Sequence, residues 1–195
     1  MRCFILALSL MLGACSTAPN KQTSLPSAPY YEVMSLSGRL SVSYQQQGKA
    51  QSLQGKFTWD QTASTTHIAL FTPLGQTIAQ IVIEPERAML QQTGEALRIA
   101  NDVSALTTDT LGWPLPVTGL KEWLQGFYSN ALGKQQSVTR DAQSGFIHNG
   151  WEIHYVQWQD DVSGFRIPKR IDLKHVSKRQ GEINLKIVLD SWAPK

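Results

Sequence analysis

The sequence predicts a mainly β protein with short helices, built as one open or incomplete antiparallel β-barrel of about ten strands that helices cover. Two observations predict this class. From residue 36 onwards, most segments alternate apolar and polar residues with a period of two, which indicates strands with one wet face. The period changes to that of a helix only between residues 101 and 127.

The first half of the chain is predicted to be a meander of strands. Residues 36–44 and 53–59 alternate in this way on either side of a polar turn, which predicts a long antiparallel hairpin. Residues 67–71 and 77–84 follow as a second pair, with Pro73 and Gly75 in their turn. This second pair is apolar on both faces, so we expect another element to cover its outside.

Two short amphipathic helices are the candidates for that cover. Asn101 or Asp102 can cap a helix over residues 103–111, and Pro116 precedes a second helix whose apolar stripe runs from Val117 to Phe127. The Asn149-Gly150 pair is a strong hairpin signal. The remaining strands are expected at residues 87–92, 95–99, 145–148, 151–158, 165–175 and 182–190.

The N-terminus resembles a bacterial lipoprotein signal. Arg2 precedes a short apolar run, and Gly13 and Ala14 stand directly before Cys15. The run is far shorter than the roughly 20 residues that span a bilayer. We therefore expect residues 1–14 to be removed and Cys15 to become the acylated N-terminus, since several acyl chains anchor a protein stably. The Ser after Cys15, where lipoproteins of the inner membrane carry Asp, indicates the outer membrane, facing the periplasm.

Domain organisation follows from this signal. Residues 15–30 are rich in Ser, Thr, Pro and Ala and are predicted to be a lipidated, flexible tether, and residues 31–195 a single domain. Because Cys3 leaves with the signal and Cys15 is acylated, no disulfide is expected. The formal charge of +3 falls to 3 − 1 = +2 without Arg2, which is too small to indicate nucleic acid.

Basic residues are concentrated near the C-terminus. Only Asp172, Glu182 and Asp190 balance them from residue 166 onwards. Such a run fits a solvated sheet face, and it also fits a surface that meets anionic head groups. The basic residues are Arg166, Lys169, Arg170, Lys174, Lys178, Arg179, Lys186 and Lys195.

The sequence contains no catalytic motif that would predict an enzyme. It has no Gly-x-Ser-x-Gly elbow and no glycine-rich phosphate loop. His148 and His154 lie on opposite arms of a predicted hairpin without an obvious third ligand, so they are interpreted as surface residues. Asp160 and Asp161 fit a solvated turn. No metal, cofactor or catalytic residue is predicted.

Large apolar side chains are expected on the inner face of the sheet. They could fill a core, or line a cavity for an apolar ligand, and composition does not separate these two possibilities. The candidates are Leu40, Val42, Phe57, Trp59, Leu70, Trp151, Ile153 and Tyr155.

Several stretches together resemble the LolB family of outer-membrane lipoprotein receptors, and they extend over essentially the whole chain. Tyr128 departs from the pattern, because the resemblance implies a proline there. Besides the residues before Cys15, the matching stretches are Gly38-Arg39-Leu40-Ser41-Val42, Phe57-Thr58-Trp59, Pro73-Leu74-Gly75, Gly112-Trp113-Pro114-Leu115-Pro116-Val117, Leu120, Trp123, Leu124 and Gly126, Gly150-Trp151 with Tyr155, Ile167-Pro168, and Leu185-Lys186-Ile187 with Trp192.

The resemblance implies an unclosed barrel of eleven strands with an apolar cavity for acyl chains, lined by the eight candidates above. It also implies a monomer that takes lipoproteins from the soluble carrier LolA and releases them into the inner leaflet of the outer membrane, with Leu74 inserting into the bilayer. Two other classes stay open on the residues alone. These are a lipid-anchored module that binds another apolar ligand, and a structural lipoprotein of envelope assembly.

Overall fold

The computed structural model describes residues 26–138, 145–177 and 181–195. Cys15, the signal and most of the tether lie outside them. Two helices are present, α1 (Val103–Leu111) and α2 (Val117–Trp123). The strands are β1 (Met34–Gln46), β2 (Lys49–Gln61), β3 (Thr66–Phe71), β4 (Thr77–Glu84), β5 (Arg87–Gln92), β6 (Arg98–Ala100), β7 (Phe127–Ser129), β8 (Gln135–Ser137), β9 (Phe146–His148), β10 (Trp151–Asp160), β11 (Arg166–Ser177) and β12 (Gly181–Pro194).

Ten of the described strands form one antiparallel sheet in the order β6-β5-β4-β3-β2-β1-β12-β11-β10-β9. The end strands β6 and β9 do not pair with each other, so the sheet is not closed into a barrel. This confirms the predicted fold class. The resemblance implied eleven strands, whereas the described residues form this ten-stranded sheet and a separate hairpin of β7 and β8.

Alternation of side chains places the core on one face of the sheet. In β1, Leu36, Leu40 and Val42 are buried, whereas Arg39 is exposed. Gly38 stands opposite Phe57 at a register shift between β1 and β12. A Cβ at Gly38 would overlap the carbonyl of Val188 and come within 2.9 Å of the Phe57 ring, so glycine lets the strands meet here.

Helix α1 begins where the sequence predicts. The carboxylate of Asp102 accepts a hydrogen bond from the backbone N–H of Ser104 at 2.8 Å, which caps the helix. Helix α2 is shorter than predicted, because the chain takes a positive φ of 80° at Gly126 and Phe127 then begins β7. Neither described helix is long and apolar enough to cross a membrane.

The sequence predicts that helices cover the outer face of β3 and β4, but in the structure they cover the inner face. Leu120 of α2 lines the same space as the inward Ile68 and Leu70 of β3. The outward Ala69 and Val82 are only half-buried. The helical segment thus covers the inner face of this strand pair.

Candidate functional site

An apolar space lies between the sheet and the connection that carries the helices. Its volume is about 20 Å³, roughly the room one water molecule needs. Side chains fill the rest of it, and we call it the closed space because no acyl chain fits into it. The sheet contributes Leu40, Phe57, Trp59, Ile68, Leu70, Leu185 and Ile187 to its lining, and the helical segment contributes Leu115, Leu120 and Leu124.

The structure divides the eight predicted site residues into two groups. All eight are buried. Leu40, Phe57, Trp59 and Leu70 line the closed space. The other four, Val42, Trp151, Ile153 and Tyr155, belong to the hydrophobic core without lining that space.

Sequence reasoning missed the part of the site that closes it. The periodicity predicts a helix with an apolar stripe from Val117 to Phe127 and, separately, a strand at residues 182–190. The missing step was that the helix face and the strand face meet across one space, which the periodicity of each separate element does not reveal.

We call residues 103–126, which hold both helices, the cap. Inside the cap, the hydroxyl of Thr107 accepts a hydrogen bond from the backbone N–H of Leu115 at 2.9 Å. Helix α1 also contacts β5 and β6, and α2 contacts β7. Most of the contact between the cap and the sheet is made by apolar side chains.

A few hydrogen bonds connect the end of the cap to β9 and β10, at one edge of the sheet. The indole Nε1 of Trp123 donates to Nδ1 of His148 at 3.1 Å, so His148 Nε2 carries the proton that it donates to the carbonyl of Ser129 at 2.8 Å. The hydroxyl of Tyr155 donates to the carbonyl of Trp123 at 2.8 Å. Burial, with a smaller contribution from the charge of Glu122, raises the pKa of Tyr155, so its hydroxyl stays a donor.

These bonds correct the interpretation of the histidines as surface residues. His148 is half-buried against Trp123 and Ser129. His154 pairs instead with Glu152, Nε2 to Oε1, at 2.9 Å. The two histidines therefore have separate partners, and no group of three potential metal ligands occurs in the described part of the chain.

The segment that follows the predicted tether binds the cap and the sheet together. Gln125, at the end of the cap, accepts from the backbone N–H of Tyr31 at 2.8 Å and donates to its carbonyl at 3.0 Å. Gln61 in β2 donates to the same carbonyl at 3.1 Å and accepts from the indole of Trp59 at 3.0 Å. Both glutamines are buried, with Gln61 2% and Gln125 3% exposed. These bonds therefore satisfy polar groups that would be costly to leave unpaired.

Leu74 lies at the tip of the turn between β3 and β4, with its side chain 93% exposed. The N–H of Gly75 donates to the carbonyl of Thr72 at 2.9 Å, and Thr72 and Gln76 close the loop through their backbones at 2.8 Å. Pro73 suits the second position of such a turn, and Gly75 takes a φ of 91°. The turn holds Leu74 away from the sheet, so the leucine does not fold back onto it.

Tyr128, the departure from the family pattern, is accommodated in β7. Its hydroxyl donates to the side chain of Gln136 in β8 at 2.8 Å, and its ring lies 4.9 Å from that of Phe146. The tyrosine thus stabilises the hairpin of β7 and β8, which the sequence did not predict.

A solved structure of another protein shares this fold. A DUF1329 family protein from Desulfovibrio piger superposes with a TM-score of 0.51 at 10% identity, covering 84% of this chain and 86% of that one. A LolA superfamily protein from Nitrosomonas europaea gives a TM-score of 0.47 at 9% identity, over 87% and 88% of the two chains.

Relatives resemble the chain along nearly its full length. The outer-membrane lipoprotein LolB of Cupriavidus necator is 32% identical over 195 residues, 98% of this chain and 95% of that protein. The LolB of Thiobacillus denitrificans is 34% identical over 190 residues, 96% of this chain and 95% of that protein. Residues 32–192 match the family described as outer membrane lipoprotein LolB. The chain belongs to the LolB family of outer membrane lipoproteins.

Proposed function

We propose that this outer-membrane lipoprotein takes lipoproteins from the soluble periplasmic carrier LolA and releases them into the inner leaflet of the outer membrane. The observation that carries the proposal is the wholly apolar lining of the space between the cap and the inner face of the sheet. A surface of this kind can exchange one set of hydrocarbon groups for another without leaving polar atoms unpaired.

Energetics explain why a protein is needed for this transfer. Three acyl chains carry on the order of 45 methylenes, and exposing each to water costs roughly 0.8 kcal/mol. Free diffusion of the cargo across an aqueous space is therefore excluded. Direct transfer between two apolar sites avoids this cost, and it needs no ATP if the affinity for the chains rises from carrier to receptor to bilayer.

Because the site is closed, the cargo must open it. We infer that the acyl chains take the place of Leu115, Leu120 and Leu124 against the sheet, while the cap moves outward. The new contacts are apolar, as the old ones are, so the hydrocarbon contact that the sheet loses is restored by the cargo.

A transfer assay tests the proposal. The mature chain with Cys15→Ala, which leaves every described residue unchanged, is mixed with LolA that carries an acylated lipoprotein, and movement of the cargo is followed. This parent protein, with no substitution in the site, should take up the cargo. Leu40→Glu, if folded, should reduce uptake by about tenfold or more because its charge would be buried without a partner.

Ser43→Glu is the matched control, since Ser43 lies on the same strand and is exposed on the outer face. It should take cargo as the parent does. Equal uptake by a folded Leu40→Glu variant would show that the inner face is not the acyl-chain site. Binding of free fatty ligands without transfer from LolA would instead indicate a module for another apolar ligand.

We also propose that Cys15 is the acylated N-terminus, that residues 1–14 are removed, and that residues 15–30 link the anchor to the domain. The residues before Cys15 support this, as does membership of a lipoprotein family. Mass spectrometry of the protein extracted from membranes should show a triacylated Cys15. An intact Met1 or an unmodified Cys15 would contradict the assignment.

A further inference from the structure

A groove of about 440 Å³ crosses the outer face of the sheet, opposite the cap. The register of four neighbouring strands builds it. Lys56 pairs with Arg39, Arg39 with Val188, and Val188 with Arg170, so these residues form one row across β2, β1, β12 and β11. Lys186 lies in the next row, between Ser41 and Asp172, and makes no ion pair with Asp172 among the described residues. Four cationic side chains therefore converge on one concave surface.

Two of the four cations have carboxylate partners. Arg39 makes two hydrogen bonds of 2.9 Å with Asp190, and Arg170 makes bonds of 2.8 and 2.7 Å with Asp172. Each guanidinium carries five N–H donors, so donors remain for a further acceptor. Lys56 and Lys186 are exposed, and within residues 26–138, 145–177 and 181–195 no ion pair joins them to a carboxylate. The groove keeps an excess of positive charge.

The groove ends at the Leu74 loop. Pro73, the residue before Leu74, lines it together with Gln54, Gly55 and Lys56. An exposed leucine and a cationic groove thus adjoin each other on the same part of the surface. That combination matches the chemistry of a bilayer surface, where hydrocarbon lies just beneath a layer of phosphate groups.

We propose that this groove binds the phosphate groups of anionic phospholipids in the bilayer and so orients the Leu74 loop toward the membrane. The inference rests on the insertion of Leu74 into the bilayer, which the family resemblance implies, and adds to it the lipid class that the surface recognises. A single leucine is a weak anchor, whereas basic residues held near an anionic surface add attraction that screening limits to short range. The groove then sets which side of the tethered domain meets the bilayer.

The groove fits a lipid surface better than a protein partner. Binding sites for proteins are usually centred on buried aromatic or aliphatic anchors. Here most of the lining side chains are Lys, Arg, Ser and Gln, and the apolar ones are Leu40, Pro73 and Val188, none of them aromatic. Phosphate is the acceptor that such side chains bind well.

A vesicle-binding experiment tests the proposal on the mature chain with Cys15→Ala. The groove variant carries Lys56→Gln and Lys186→Gln, which break no ion pair among the described residues. The control carries Lys49→Gln and Lys134→Gln, which remove the same charge at exposed positions outside the groove. Lys49 lies seven residues before Lys56 on β2, about 23 Å away at the rise of a strand.

Partition is measured on vesicles of phosphatidylcholine alone and with about a quarter phosphatidylglycerol. With the anionic lipid, the groove variant should bind about tenfold more weakly than the parent, and the control should bind nearly as the parent does. High salt and vesicles without phosphatidylglycerol should remove the difference.

Equal binding by the groove and control variants would overturn the proposal. The proposal would also be overturned if the groove variant bound vesicles as the parent does but no longer took cargo from loaded LolA. The groove would then be a docking surface for a protein. Failure of the parent to take cargo would count against the proposed function, and the vesicle comparison would still decide on the groove.

Discussion

Leu74 is a residue whose side chain contributes almost nothing to the stability of the fold. Turns usually carry polar residues, and a leucine that is 93% exposed gains nothing from the fold around it. The turn itself depends on Thr72, Pro73 and Gly75, so the side chain at the tip is free to vary without harm to the strands. This separation makes Leu74 a clean site for testing function apart from stability.

Leu74→Glu should slow the release of lipoprotein into liposomes while leaving folding and uptake from LolA unchanged. Burying one leucine in the acyl region stabilises by about 1.5 to 3 kcal/mol, so its loss should reduce the release rate roughly tenfold or more. The measurement is transfer of labelled cargo to liposomes, with thermal unfolding recorded in parallel.

Leu132→Glu is the control for this change, because Leu132 is 91% exposed in the β7–β8 turn and has no role in the proposal. It should release cargo at the parental rate. A Leu74→Glu variant that is stable and releases normally would refute the insertion role. One that loses several degrees of melting temperature would show that Leu74 contributes to folding.

Helix α2 contains a glycine, Gly119, whose role the sequence alone does not explain. Gly119 is buried, and a Cβ there would overlap the ring of Trp123, which is fully buried. Trp123 in turn connects the cap to His148. Gly119 therefore lets the indole fold back along its own helix and reach that partner.

Gly119→Ala should destabilise the protein by about 1 to 3 kcal/mol, because the added methyl group overpacks the indole. The sign of the change in the free energy of unfolding tests this account. In an exposed helix, replacing glycine by alanine normally stabilises by about 1 kcal/mol. Denaturant unfolding and the tryptophan emission spectrum measure the effect. Thr118→Ala, at an exposed position of the same helix, should stay within about 0.5 kcal/mol of the parent. A Gly119→Ala variant as stable as that control would contradict the account.

The strands could be predicted from the sequence because their signal is local. The alternation of Leu36, Leu40 and Val42 with polar residues determines both the strand and its buried face. Contacts between distant elements carry no such signal. Neither the position of Leu120 over the inner face of β3 nor the pairing of β7 with β8 could be read from periodicity, and Phe127 continued the helical pattern although Gly126 had already ended the helix.

The first and last strands of the large sheet, β1 and β12, are neighbours at its centre. Strands β1 and β12 pair along most of their length, so the core closes only when the last strand is in place. The cap, by contrast, is one continuous segment that packs over this sheet through apolar side chains and a few polar bonds at its end. In the proposed mechanism, the cap is displaced while the strands of the sheet stay paired.

Loading with cargo should therefore change the cap and leave the centre of the sheet unchanged. Hydrogen exchange of backbone amides in residues 103–126 should become about tenfold faster or more when acylated lipoprotein is bound, because the helices lose their contacts with the sheet. Amides at the centre of β1, β2 and β12 should exchange as slowly as in the empty protein. The same lipoprotein without its acyl chains is the control and should leave the cap protected. If the cap stays equally protected with acylated cargo bound, the chains enter without displacing Leu115, Leu120 and Leu124, and the site of binding lies elsewhere on the molecule.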